Sequence, residues 1–409
     1  MPYLGPRMPS LERDSADVVI VGGGVVGCSI AARLRQRMAG ARVVVVERDP
    51  TYARASSRLA TGGVRQQYDS ALNVAMARYS VAFYSRFDEL CASAGHRAHA
   101  WFRQRGYLFL ANAANAAMLE RRFETQRASG AAVEKWPASR VEVHVPGLVT
   151  DDVEFALFGP EDGYLDPREV LTGFRALAVA TGAEIIDGTV SEVARTGGRV
   201  SGVCVQAGGQ SREIAAPVVV NACGAYAAAL AKAAGVTVPV SPVRQHLFRL
   251  ALNESPPSRI PMVFDPDGTH WRLDDPRTAD GEERLVIGCS RATEPPGENF
   301  TCDDRRLYEE MLPTLRRRYP AAKVGKCIEA WAGLYEMTPD HNAVLGEHPS
   351  LPGFIVAAGF SGHGLMLAPA TGLAIAELIA GAARPTFDIA PLAVDRFERG
   401  EFFRDGALV

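Results

Sequence analysis

The run Gly22-Gly23-Gly24-Val25-Val26-Gly27 constrains this chain more than any other feature. It stands between two β-branched segments, Asp17–Val21 and Val43–Glu47. The stretch Val25–Met38 carries apolar residues at helical spacing, so the opening reads as strand, tight turn, helix, strand. In such a unit Gly22 permits the turn, Gly24 lets a phosphate approach the backbone, and Gly27 lets helix and sheet pack closely. The free N–H groups and partial positive charge at the helix start suit a pyrophosphate. Glu47 follows Gly27 by 20 residues, at the end of the second strand. There its carboxylate can accept hydrogen bonds from ribose hydroxyls and would repel a 2′-phosphate. Val26 and Arg48, the neighbours of Gly27 and Glu47, belong to the same expected nucleotide site. The fingerprint does not separate a flavin from a nicotinamide dinucleotide.

At 409 residues the chain exceeds what one hydrophobic core serves, which suggests two or three domains. A net charge of −3 argues against a nucleic-acid surface or a basic membrane patch. The seven cysteines are scattered, with no CxxC pair and no Cys/His cluster at metal-ligand spacing, so no metal site is expected and the thiols read as reduced. The apolar stretch Val18–Ala32 is 15 residues long and is interrupted by four glycines. A membrane span needs about 20 apolar residues, so none is expected. The tail Met1–Ala16 lacks an apolar region of the secretory kind, and a cytoplasmic location is the expectation.

Further along, Asp69 or Ser70 can cap a helix in which Leu72, Met76, Tyr79 and Phe83 recur at three- to four-residue intervals. Tyr107–Leu110 reads as a strand, Ala113–Gln126 as a helix, and Pro167 as the start of another. Strands are expected at Ala183–Asp187, Val190–Ala194 and Val200–Ala207, a charged helix at Asp303–Arg318, and a last helix at Met366–Ile379. Val218–Asn221 and Ile355–Ala358 are the best candidates to extend the opening sheet.

Several segments, taken in order, resemble the D-amino-acid oxidase superfamily of FAD enzymes. They are Ser56-Ser57 through Gly62-Gly63-Val64-Arg65-Gln66-Gln67-Tyr68, Gln104–Leu110, Gly163–Pro167, Val219–Tyr226, Trp331–Asp340 and Gly359-Phe360-Ser361-Gly362-His363-Gly364-Leu365-Met366. The resemblance runs from Asp17 to about Ile379 and looks strongest toward the β subunits of hetero-oligomeric sarcosine oxidase and L-proline dehydrogenase. It implies an α/β fold in which a Rossmann-type FAD-binding domain (1–92, 152–236 and 326–409) is interleaved with a smaller α+β substrate domain on a mostly antiparallel sheet (93–151 and 237–325).

Residue by residue, the resemblance places Ser56, Ser57, Thr61, Gly62 and Gly63 around the pyrophosphate and flavin, although simple loop capping serves as well for the two serines. It places Val190 near the adenine, and Ala222 and Gly224 under the phosphates. Gly359, Gly362 and Gly364 leave main chain bare before a helix, so a flat ring can lie against it. The helix start at His363, Leu365 and Met366 then faces the ring edge where negative charge collects on reduction. Some relatives attach FAD covalently through a cysteine at the position of Gly333 or a histidine near Leu59; neither is present, so FAD is expected to bind non-covalently. Monomeric sarcosine oxidases carry a lysine where this chain has Met366, which weakens sarcosine as its substrate.

For catalysis the resemblance points to Arg65 as a fork for a substrate carboxylate, and to Tyr335 and His363 as the pocket beside the flavin. A structural ion pair or core packing is the competing account of each. Arg272, near His270 and Trp271, either faces the pocket or is solvated, and solvation is the expectation; Gln245 and His246 are unassigned. The implied activity is oxidation of a C–N bond in a small amino acid or a secondary or tertiary amine, giving an imine that hydrolyses. A 2-hydroxy acid dehydrogenase and a FAD-bound assembly protein without catalysis are the alternatives. The resemblance leaves a partner dehydrogenase subunit or a homo-oligomer open.

Overall fold

Val18–Val21 and Val43–Val46 have no polar position, so they are stable as strands only when covered on both faces. The computed structural model describes residues 14–274, 283–290 and 294–403, and most of the tail Met1–Ala16 lies outside them. In it these strands sit at the middle of a six-stranded sheet. The order is Val344–Glu347, Phe354–Ala358, Val218–Asn221, Val18–Val21, Val43–Glu47, Glu184–Asp187. Neighbours run parallel except at the first pair, which is antiparallel. Val218–Asn221 and Phe354–Ala358 thus extend the opening unit as expected.

Alternate side chains of this sheet enter two cores. Val18, Ile20, Val43 and Val45 face the helices Val25–Arg37, Ala71–Tyr84, Pro167–Ala180 and Gly364–Ile379. Val19, Val21, Val44 and Val46 face the antiparallel strands Thr189–Thr196, Arg199–Ala207 and Gln210–Ala215 and the short helix Ala227–Ala233. Full burial of a valine contributes about 1.5–3 kcal/mol before chain entropy is counted, so both layers are needed to hold the strands. Local signals set the helix starts. The Ser70 hydroxyl accepts from the Asn73 N–H, and the Asp166 carboxylate accepts from Arg168 and Glu169 ahead of Pro167.

The second sheet has eight strands, in the order Val324–Met337, Ser241–Leu252, Arg284–Cys289, Thr269–Leu273, Met262–Phe264, Tyr107–Ala111, Phe155–Gly159, Glu134–Trp136. Only Met262–Phe264 and Tyr107–Ala111 pair in parallel. This sheet recruits Phe155–Gly159 and Val324–Met337, which the expected division had placed largely with the nucleotide sheet. The reason is pairing: Tyr107–Ala111 takes Phe155–Gly159 as its antiparallel neighbour, and Ser241–Leu252 pairs along its length with Val324–Met337. The expected helix Asp303–Arg318 is a widened π turn, Arg306–Met311, followed by an α-helix, Leu312–Arg318. Pro313 has no N–H to give, which interrupts the regular ladder at that junction.

Candidate active site

The glycine turn is built by backbone contact. Gly22 has φ +102°, and a Cβ there would lie 2.4 Å from the Ala222 carbonyl oxygen; one on Gly27 would lie 1.9 Å from the Gly22 oxygen. Turn, helix start and the Ala222–Gly224 segment therefore meet with no side chains between them, and Val26 is buried in the helix beside Gly27. A long cleft opens there, lined by Gly22, Gly24, Glu47, Arg48, Ser56, Ser57, Val190, Ala222 and Gly224. Glu47 does more than the sequence suggested: Oε2 accepts from the Gly23 N–H at 2.7 Å and Oε1 from the Asp49 N–H at 2.9 Å, so it also pins the turn. Ser57 Oγ accepts from Val25 N–H, the first of the helix, at 3.3 Å, and the Arg48 guanidinium lies 3.6 Å from the Tyr226 ring centre. A bare-backbone wall, a helix start and a carboxylate at one cleft are the features a dinucleotide requires, and FAD fits.

At Ser56, Ser57 and Glu336 the cleft adjoins a second cavity, lined also by Thr61, Gly333, Tyr335, Gly362, Gly364, Leu365, His246 and His270. The glycine loop before the last helix reaches this cavity, and His363 holds the N-cap position of that helix. Gly333 and Leu59 face each other: a Cβ on Gly333 would lie 3.2 Å from the Leu59 Cβ. The Gly333 position and the Leu59 segment thus meet in space, and the meeting is apolar. Gly62 and Gly63 line neither cavity; an added Cβ would strike the Leu165 carbonyl oxygen at 2.1 Å and the Tyr107 hydroxyl at 1.9 Å. Gly359 packs against Thr338, and Met366 is buried with its sulfur accepting from the Tyr68 hydroxyl at 2.8 Å.

Arg65 and His363 come together although 298 residues separate them. Arg65 Nη2 and His363 Nε2 are 3.0 Å apart, and Arg65 Nη1 also donates to the Gln67 carbonyl. The guanidinium lies over the Tyr68 ring at 4.5 Å and the Phe109 ring at 5.5 Å. Burial, reinforced by the Arg65 charge, holds the His363 pKa well below its ordinary value. A neutral ring whose Nε2 accepts from Arg65 carries its own proton on Nδ1. Burial pushes the Tyr335 phenol up to about 12, against the pull of the same arginine, so Tyr335 stays a hydrogen-bond donor at neutral pH. The solvated position expected for Arg272 does not hold. It is buried, with Nε donating to the Thr61 carbonyl at 2.7 Å and Nη1 to the Leu273 carbonyl at 2.9 Å, and it lies 5.1 Å from the Tyr164 ring centre.

The sequence assigns no role to three further residues. Asp162 is fully buried, and burial raises its carboxyl to about 7. Its oxygens accept from the Gln66 N–H at 2.9 Å and Gln67 Nε2 at 3.2 Å, fixing the backbone whose carbonyl holds Arg65. Among the described residues Gln67 Oε1 has no partner, while Nε2 also donates to the Tyr107 carbonyl at 3.3 Å, which fixes the orientation of the amide. Glu336 is also raised to about 7 by burial, with the Gly359 and Phe360 N–H groups pulling the other way. His246 was noted without a role; it lines the second cavity and sits 3.3 Å from Glu294 Oε1. Strand alternation alone would turn Glu336 away from the cavity that Tyr335 lines, and nothing local marks Asp162.

Among the described residues there is no metal-ligand cluster, and no helix is long and apolar enough to cross a membrane. All seven cysteines are free. The family model described as FAD dependent oxidoreductase matches residues 17–378. FAD-dependent oxidoreductase domain-containing protein 1 of Xenopus laevis is 34% identical over 421 residues, covering 95% of this chain and 83% of its own. Among solved structures, L-proline dehydrogenase from P. horikoshii superposes with a TM-score of 0.83 at 29% identity, covering 96% of this chain and 100% of its own. Glycine oxidase from Geobacillus kaustophilus does so with 0.78 at 26% identity, covering 94% and 99%. A match of this extent, on a fold whose bare-backbone cleft suits the cofactor, shows that the chain belongs to the D-amino-acid oxidase superfamily of FAD-dependent oxidoreductases.

Proposed function

We propose that this chain oxidises a C–N bond of a small amino acid or amine, and that its FAD is held without a covalent bond. FAD held in the cleft would supply the hydride acceptor for the substrate α-carbon, and the imine so formed would take up water. The observation that carries the reading is the buried Arg65–His363 pair. Arg65 is a buried guanidinium held by the Gln67 carbonyl beside His363, and a planar fork of this kind is the group that matches a carboxylate. Tyr335, protonated and lining the cavity, orients the carboxylate or the amine. His363, held neutral, adds no second positive charge that would repel an ammonium group. The apolar meeting of Gly333 and Leu59 offers no nucleophile for attachment. L-proline dehydrogenase and glycine oxidase, by their names, act on amino acids, which supports the substrate class. The seven free thiols support a reducing, cytoplasmic setting.

The test is an anaerobic screen in which bleaching of the bound flavin is followed with sarcosine, proline, dimethylglycine, D-amino acids and 2-hydroxy acids. Reduction by at least one amine and not by hydroxy acids is expected. Reduction by hydroxy acids alone would replace the amine reading. A flavin that no substrate bleaches, in a protein that copurifies with a partner, would favour an assembly role.

A further inference from the structure

Glu336 borders both the nucleotide cleft and the cavity beyond it, so it stands at their junction. It follows Tyr335 on the strand Val324–Met337 and is only 8% exposed. Its Oε2 accepts from the Gly359 N–H at 2.8 Å. A Cβ on Gly364 would lie 3.2 Å from Oε1, and one on Gly224 would lie 3.8 Å from Oε2. The carboxyl therefore stands between the glycine loop and the phosphate floor, and at Gly224 and Gly364 no side chain intervenes. Across from it Ser56 Oγ is already engaged, donating to the Leu334 carbonyl at 2.6 Å. A carboxyl removed from water needs donors, and the Gly359 and Phe360 N–H groups are two of them. A cofactor spanning both cavities must pass this point with the hydroxylated chain that joins its two ends.

We propose that Glu336 is a cofactor-holding residue whose carboxyl accepts hydrogen bonds from the ribityl hydroxyls of FAD. The inference rests on FAD filling both cavities. A purely structural Glu336 would fasten the Gly359 loop and be indifferent to those hydroxyls.

The two accounts separate in binding titrations of the apoprotein, read by fluorescence quenching without any turnover. Glu336→Leu should raise the FAD Kd at least about tenfold, the loss of one hydrogen bond to a carboxyl, and leave the ADP Kd unchanged. Glu336→Gln, which keeps an acceptor, should restore most of the affinity. Equal loss of FAD and ADP in the leucine variant, or no loss of either, would overturn the proposal. Should that variant not fold, an FAD analogue lacking ribityl hydroxyls is titrated into the wild-type chain. A Kd at least about tenfold above that of FAD supports the proposal, and an equal Kd refutes it. A wild-type apoprotein that takes up no FAD at all would instead strike the cofactor reading itself.

Discussion

At Gly22 and Gly24 the cleft wall is main chain, and Gly27 packs behind it on the Gly22 backbone. At the far end Tyr335 lines the cavity, and the buried side chains of Arg65 and His363 are joined by a hydrogen bond. The two ends fail in different ways. Backbone packed on backbone leaves no room to adapt, so one added methyl group separates turn from helix. A side-chain cluster can lose a member and keep its shape while its electrostatics change. Structure is sensitive at the first end, and chemistry at the second.

The sharpest way to break this contrast is Gly27→Ala, whose Cβ would meet the Gly22 oxygen at 1.9 Å. We expect a loss of about 3 kcal/mol, near the top of what overpacking costs, together with loss of bound FAD. Urea denaturation and flavin absorbance read both, and a stable yellow variant would show that the turn can yield. Next in size, Arg65→Lys should keep its FAD and lose about 1.5–3 kcal/mol in transition-state binding of a carboxylate substrate. The ratio of kcat/KM between variant and wild type measures it, and unchanged turnover would remove Arg65 as the anchor.

A smaller effect appears in pH dependence. Burial raises Asp162 to about 7, so between about pH 4 and 7 the folded chain keeps a proton that the unfolded chain has released. Its contribution to stability therefore falls as pH rises through that window and is level above it. Glu336 acts in the same direction, so wild type and variant must be compared. In Asp162→Asn the drop in urea midpoint between pH 5 and pH 7.5 should shrink, and an identical drop would mean that Asp162 titrates normally. Smallest of all, Tyr68→Phe removes a hydroxyl bonded to the Met366 sulfur, a weak acceptor. A cost of about 0.5 kcal/mol, with an unchanged flavin spectrum, is expected.

The same contrast explains what the sequence made legible. The glycine turn, its flanking strands and Glu47 are specified within about thirty residues, by the absence of side chains and by periodicity, and such signals survive in one dimension. The Ser70 and Asp166 caps are equally local. Arg65 could be named by resemblance, but its bond to His363 joins residues 298 apart and leaves no trace in local pattern. Arg272 looked like a surface residue because arginines usually are. Its burial follows from the Thr61 carbonyl, which only the folded chain brings within 2.7 Å. Asp162 sits in a turn-like stretch, Glu161-Asp162-Gly163, where an acidic residue ordinarily meets water. That Phe155–Gly159 joins the eight-stranded sheet is equally invisible in one dimension, because strand partners are chosen in space.

The sheet order also bears on how such a protein is made. Phe354–Ala358 lies beside Val218–Asn221, which in turn lies beside Val18–Val21. A ribosome that has released the first two hundred residues has therefore delivered a half-walled groove, and the histidine that meets Arg65 is still to be synthesised. Cofactor capture is then a late event in biogenesis, governed by long-range closure. A nascent chain stalled before the last helix would be a client for chaperones, with no flavin to steady it.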